Sequence, residues 1–351
     1  MTATNATAVP MQRRDTADTA GLDRNRSSGL DGLRTIACLL VVAFHLRTVN
    51  GIEFGPIDRI VLGGSSGVYL FFALSGYLLY KPFLRGPVEL ASYGVKRFAR
   101  LVPGYFVALV ALTVITGNHL ALEHPLPFLT MTASYDIPLR AFLGNAWTLS
   151  SEILFYVTLP VLARLANGRE VRVLGALAVA SMVAAWIHRL QLTDANAWAL
   201  GTYPLSFYAF VPGMLLALVE VRRPALFKRL GNPRYLVLGI AFLLLGCLMT
   251  LLPVAFATGI GSPLVMAWVI QRRIPWARAL GFAGGASYAL YLWHKDLMIA
   301  FGPVGVVIAV VGSAASWALV ERPILARAHA WTARRAARQP RLDGSVAVST
   351  P

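Results

Sequence analysis

"LDGLRTIACLLVVAFHL", Leu30 to Leu46, is an apolar run of membrane-crossing character that carries an aspartate, an arginine and a histidine. A helix crosses a hydrocarbon core about 30 Å thick with about 20 residues at 1.5 Å each, which this run and its flanks supply. Ionised side chains inside such a span cost about 2.5 kcal/mol or more each, so they persist where they are paired or used. Arg34 and His45 stand eleven residues apart, close to three whole turns. They therefore share one helix face, about 16 Å apart along the axis.

The rest of the chain repeats the pattern. Of its 351 residues 57% are hydrophobic and 14% charged, with a mean hydropathy of +0.62, which excludes an ordinary water-soluble globule. Apolar stretches of bilayer length fall at about 30–48, 61–80, 98–117, 147–166, 172–189, 202–220, 234–252, 254–270, 280–300 and 303–321. They predict an all-α, polytopic transmembrane helical bundle of about ten helices. The seventh and eighth are separated only by "LLP" at Leu251 to Pro253. Residues 1–29 read as a disordered tail without the apolar core and small-residue cleavage site of a signal peptide. One membrane domain is expected over 30–325. Residues 326–351 form a basic tail, expected to be disordered after Trp331. Cys38 and Cys247 both lie in apolar runs, so they read as small core residues, with no disulfide framework and no metal site.

A net charge of +16 suggests nucleic acid in a soluble protein, but here it has a topological explanation. With the N-terminus in the cytoplasm, 27 of the 32 Lys and Arg residues fall on the cytoplasmic side. The exceptions are Arg47, Arg59, Arg140, Arg189 and Lys295. The positive-inside rule then predicts both termini in the cytoplasm and an even helix count. No nucleic-acid partner is expected; membrane lipid is.

Three ionisable residues from separate runs come to one depth by counting from helix ends: His45, Glu152 in "NAWTLSSEILFYVTLP" and His294 in "GFAGGASYALYLWHKDLMIAFG". Each has a plainer role open to it. A membrane histidine serves as a helix-to-helix hydrogen bond, Glu152 as a structural partner for an arginine, and Arg34 as an interfacial anchor. Lys96, Arg97 and Arg100 in "YGVKRFARLVPGY" suit phosphate groups and equally suit a positive-inside loop. Gly64, Gly67 and Gly76 in "GSSGVYLFFALSGYLLY" suit close helix packing, and Ser75 leaves a hydroxyl in the core. The proline-containing outer loop Asn118 to Ala146 suits a re-entrant or interfacial segment over an opening. On residues alone, a transporter that couples protons through buried His and Glu competes with an enzyme.

Five stretches in order, "LDGLRTIACLLVVAFH", "VYLFFALSGYLL", "KRFARLVPGY", "WTLSSEILFY" and "SYALYLWH", resemble the acyltransferase family 3 of integral membrane enzymes, over Leu30 to about Glu321. The resemblance implies a bacterial cytoplasmic-membrane enzyme with no bound cofactor. Such an enzyme takes an acyl group, acetyl above all, from cytoplasmic acyl-CoA and delivers it to a hydroxyl of a carbohydrate, glycolipid or glycosylated metabolite. Carried over by position, His45 is the catalyst, Arg34 its paired arginine, and Lys96, Arg97 and Arg100 the basic motif. Glu152 is the acid after the Trp, and His294 the late histidine. The sequence departs from the family at Tyr69, where an acidic residue is common, and at Ile153, where a second acid often follows the first. The extracytoplasmic hydrolase-like domain of some relatives is not expected.

Together these residues predict a donor held along the first helix. The donor's phosphates meet Arg34 and the Lys96–Arg100 cluster, and its thioester reaches His45. Neutral His45 acts as general base on the acceptor hydroxyl, Glu152 orients its ring, and His294 donates to the developing oxyanion. Direct transfer and an acyl-enzyme intermediate both fit these residues.

Overall fold

The computed structural model describes residues 12–136, 138–191, 203–249, 252–272 and 277–338. Among them there is no strand, and each of the ten predicted runs holds a helix. These are α1 (Gln12–Asn50), α2 (Gly67–Arg85), α3 (Leu90–Thr116), α4 (Trp147–Ala166), α5 (Glu170–Gln191), α6 (Val211–Arg222), α7 (Pro224–Leu230), α8 (Pro233–Leu248), α9 (Leu252–Ile270), α10 (Ala277–Phe301), α11 (Val304–Ser316) and α12 (Arg322–Arg338). The chain is an all-α polytopic bundle.

Six helices among the described residues are long and apolar enough to cross a membrane: those at Gly29–Asn50, Gly64–Arg85, Leu90–Thr116, Gly144–Ala166, Glu170–His188 and Val304–Arg338. A seventh candidate is α7 with α8, bent by 70° at their junction. The expected sixth run is shorter as a helix, because Pro212 starts α6 at its first turn and the helix then holds only 12 residues. At 1.5 Å per residue that is about 18 Å, less than a full crossing. Residues 250 and 251, where the seventh and eighth runs meet, lie outside the described residues.

Both ends of the membrane domain continue as helix. α1 begins at Gln12, upstream of the boundary drawn at residue 30. The disorder expected after Trp331 is corrected as far as Arg338. Five-residue π-turn Trp317–Glu321 carries α11 directly into α12. α12 is rich in Ala and Arg, good helix formers, and it buries Ala328 and Thr332. Arg335 bonds Glu89, the residue that caps α3 by accepting the Ser92 N–H.

Lipid removes the hydrophobic drive for helices to associate, so close packing must hold them together. The bundle's outer surface is apolar, with Val114, Leu165, Leu190 and Leu319 each at least 70% exposed. Inside, α1 and α10 form the most intimate contact. Asp31 meets Gly284, the Cys38 thiol faces the Ser287 carbonyl at 3.4 Å, His45 meets His294, and Asn50 donates to the Met298 carbonyl at 3.2 Å. Residue numbers rise together on both helices, so the two run parallel. Asp31, Cys38 and His45 repeat every seven residues, the period of a left-handed helix seam. Gly284 makes the seam possible: a Cβ there would stand 2.6 Å from the Asp31 backbone oxygen and Cβ. Both cysteines are buried and unbonded to one another.

Candidate active site

The seam delivers His45 and His294 to each other. His45 Nδ1 lies 3.0 Å from His294 Nε2 and 3.0 Å from the Val41 carbonyl oxygen. His294 Nδ1 lies 2.9 Å from the Leu290 carbonyl, and Asn145 Nδ2 lies 3.4 Å from His294 Nε2 and 3.2 Å from the Tyr291 carbonyl. These partners assign the hydrogens. A carbonyl accepts, so His294 Nδ1 must donate and its Nε2 keeps a lone pair. His45 Nδ1 faces that lone pair and a carbonyl, so it donates to both, and His45 Nε2 is left as the basic nitrogen.

The two rings differ in exposure as this scheme requires. His294 is fully buried, whereas His45 is half-buried. The sealed ring has both nitrogens engaged, and the accessible ring carries the unused base. His294 therefore has no N–H to spare for an oxyanion in the neutral pair, which corrects the expected donor role. Its geometry suits it to hold His45 in one tautomer and to accept from the imidazolium that forms when His45 takes a proton.

Glu152 does not join them. Among the described residues its carboxylate accepts from the Ser75 and Tyr156 hydroxyls and from neither imidazole. The expectation of one layer fails because α4 does not begin at the outer surface. Its leading turn Gly144–Ala146 already sits at the level of His294 through Asn145. Glu152 is seven residues further on, about 10 Å along the axis.

That displacement puts Glu152 with the basic residues. Arg97 stands over the Tyr156 ring at 5.9 Å from its centroid, and Tyr93 donates to the Tyr156 carbonyl at 3.1 Å. Arg100 stands over Trp317 at 5.5 Å and is within electrostatic reach of Arg34, Asp31 and Glu321. Arg34 pairs with Asp31 one turn back at 3.2 Å. Lys96 is half-buried nearby on α3. So Arg34, Arg97, Arg100 and Glu152 gather on one side of the dyad, toward the N-terminal end of the α1–α10 seam. Charges on aromatic faces keep their guanidinium edges available, because the ring takes only a face of the group.

Asn145 and Tyr156 carry no sequence signal of their own, and Ser75, read from sequence as a hydroxyl in the core, proves to be a partner of Glu152. Asn145 heads the stretch that names Glu152, and an amide beside a predicted helix end reads as an ordinary cap. Tyr156 lies one turn after Glu152, the spacing at which helix side chains meet. Tyr69, at the position where the family departs, shares a 3.4 Å hydroxyl contact with Tyr208.

Residues 27–321 match the sequence profile of a family described as "Acyltransferase domain". Nodulation protein 10 of Rhizobium leguminosarum bv. viciae is 27% identical over 372 aligned positions, covering 90% of this chain and 99% of that protein. A putative O-acetyltransferase of Staphylococcus aureus (strain COL) is 28% identical over 159 positions, covering 38% of this chain. The peptidoglycan O-acetyltransferase OatA of Listeria monocytogenes is 27% identical over 164 positions, covering 40% of this chain. The chain spans about a quarter of the length of the latter two. No solved structure matches.

Proposed function

The chain belongs to this acyltransferase-domain family, and from that premise we propose that it is a membrane O-acetyltransferase acting at the His45–His294 pair. The donor is acetyl-CoA and the acceptor a hydroxyl of a carbohydrate, glycolipid or glycosylated metabolite. The relative named for peptidoglycan O-acetylation supports the acceptor class. The single observation that carries the mechanism is that His45 Nδ1 lies 3.0 Å from both His294 Nε2 and the Val41 carbonyl oxygen. An Nδ1 hydrogen satisfies both His294 and Val41 and leaves Nε2 as the unprotonated nitrogen of this half-buried ring.

His45 Nε2 takes the proton of the acceptor hydroxyl as its oxygen attacks the thioester carbonyl. The C–O bond forms, the C–S bond breaks, and the CoA thiolate takes the proton back from His45. The products are an O-acetyl ester and CoA. His294 stabilises the transient imidazolium by accepting its Nδ1–H. General-base assistance of this kind contributes about 10²- to 10⁴-fold. Arg34, Lys96, Arg97 and Arg100 hold the donor's phosphates, with Tyr156 and Glu152 bracing Arg97. The length of α1 between Arg34 and His45, about 16 Å, suits the extended arm that joins phosphates to thioester. Both termini and the phosphate-binding end face the cytoplasm, a reading supported by the distribution of 27 of 32 basic residues.

Incubation of the purified protein in detergent with radiolabelled acetyl-CoA and a panel of hydroxyl acceptors tests the reading. Labelled ester with release of CoA is expected. Transport of an anion or sugar across liposomes without consumption of acetyl-CoA would replace the enzyme by a carrier.

A further inference from the structure

Three consecutive residues of α10 face three consecutive residues of the outer loop in reverse order. His294 meets the Asn145 amide at 3.4 Å, the Lys295 ammonium lies against Gly144, and the Asp296 carboxylate accepts the Leu143 N–H at 3.0 Å. The loop pays for this register. Leu143 sits at φ 51°, a left-handed conformation that costs a non-glycine residue about 1 kcal/mol or more and persists only where its surroundings hold it. Met131, at the other end of the same loop segment, has φ 59°. Asp296 is itself costly to keep: it is 6% exposed, and its second carboxylate oxygen is buried without a hydrogen-bond partner among the described residues. A buried acid with half its capacity unused is poor as a packing element, since an apolar side chain would fill the place without the desolvation.

We infer that Asp296 is a positioning residue for the acetyl-transfer reaction: by pinning Leu143 it sets Asn145 against His294 and so locks the tautomer of the His45–His294 pair. This rests on the acetyltransferase reading above. The order of action follows from the geometry. Asp296 fixes the strained residue, the turn Gly144–Ala146 follows it directly, and the amide of Asn145 bridges the Tyr291 carbonyl and His294 Nε2. With Asn145 in place, His294 Nε2 is held as an acceptor for two N–H groups, and the His45 proton stays on Nδ1. Without the pin, the amide withdraws, and water or the other His45 tautomer takes its place. The base nitrogen then points away from the acceptor. Misplacements of about 1 Å in such a constellation cost on the order of 100-fold in rate.

Four full-length proteins in detergent test this: wild type, Asp296→Leu, Asp296→Asn and Asn145→Ala, together with the Asp296→Leu/Asn145→Ala double variant. Two readouts are taken, CoA release from acetyl-CoA and the imidazole ¹⁵N shifts of the histidines, which report tautomers without turnover. Asp296→Leu and Asn145→Ala are expected to lower kcat on the order of 10- to 100-fold with KM for acetyl-CoA unchanged, and to give mixed tautomers. Asp296→Asn keeps an acceptor oxygen for the Leu143 N–H and is expected to restore both readouts. The double variant is expected to be no slower than the slower single, because both act through one contact. Thermal stabilisation of Asp296→Leu by acetyl-CoA, equal to wild type, shows that it is folded. Wild-type tautomers and kcat in Asp296→Leu would overturn the inference, and so would Asp296→Asn as impaired as Asp296→Leu. A wild type that releases no CoA yet shows tautomers shifting with Asp296 would sink the acetyltransferase reading and leave the positioning role standing.

Discussion

At the level of His45 and His294 the imidazoles meet neutral partners and commit three of their four ring nitrogens to hydrogen bonds. At the Arg34 end the bundle does the opposite. It lays full charges over aromatic faces, Arg97 on Tyr156 and Arg100 on Trp317, and leaves hydrogen-bonding edges for others. Burial accounts for the division. A neutral pair with one nitrogen left open costs less deep in a membrane protein than an unpaired charge does. Chemistry that needs a proton acceptor suits the neutral layer, and recognition of a polyanion suits the charged one.

Removing the base has the largest expected effect. His45→Ala is expected to lower CoA release by about 10²- to 10⁴-fold while acetyl-CoA still raises the Tm, because the charged end is untouched. If the Tm shift vanished as well, the two regions would not be separate. Next in size is Arg34→Ala, with KM for acetyl-CoA raised about tenfold or more and kcat nearly unchanged, as for loss of one charge-assisted contact. A fall in kcat at constant KM would move Arg34 into the chemistry.

Glu152→Gln sharpens the boundary between the regions. An amide oxygen still accepts from Ser75 or Tyr156, and no imidazole depends on the carboxylate. The variant is expected to keep kcat within about fivefold, since neutral hydrogen bonds differ from charged ones by about 1 kcal/mol. A collapse of kcat would return Glu152 to the dyad. The smallest effect belongs to Glu89. The Ser92 side chain and N–H, with Arg335, hold its carboxyl below the ordinary carboxylate range. A depressed pKa means the contribution is present above the unfolded value and is lost as pH falls through the folded one. Hydrogen exchange in α12 is therefore expected to rise as the pH drops below about 4, and Glu89→Gln to abolish that dependence.

The helices were legible because apolar run length is a property of sequence alone. The two histidines were legible because imidazoles in such runs are rare and expensive. Their meeting was not, since it depends on α1 and α10 packing parallel along Asp31, Cys38 and His45, with Gly284 letting the helices approach. Depth counted from helix ends misplaced Glu152 because it took α4 to start at the membrane surface, when the outer loop folds inward and starts it beside His294. Asn145 and Asp296 escaped for a related reason: beside a helix start and in a Lys-Asp pair, polar residues look like interfacial anchors. Only the reversed register between 143–145 and 294–296 gives them a purpose.

CoA release by wild type and His45→Ala, read beside acetyl-CoA-dependent Tm shifts of the same two proteins and of Arg34→Ala, separates the base from the donor site. His45→Ala is expected to bind acetyl-CoA without turning over, and Arg34→Ala to turn over slowly only because it binds weakly. Turnover by His45→Ala at the wild-type rate would remove His45 as the base.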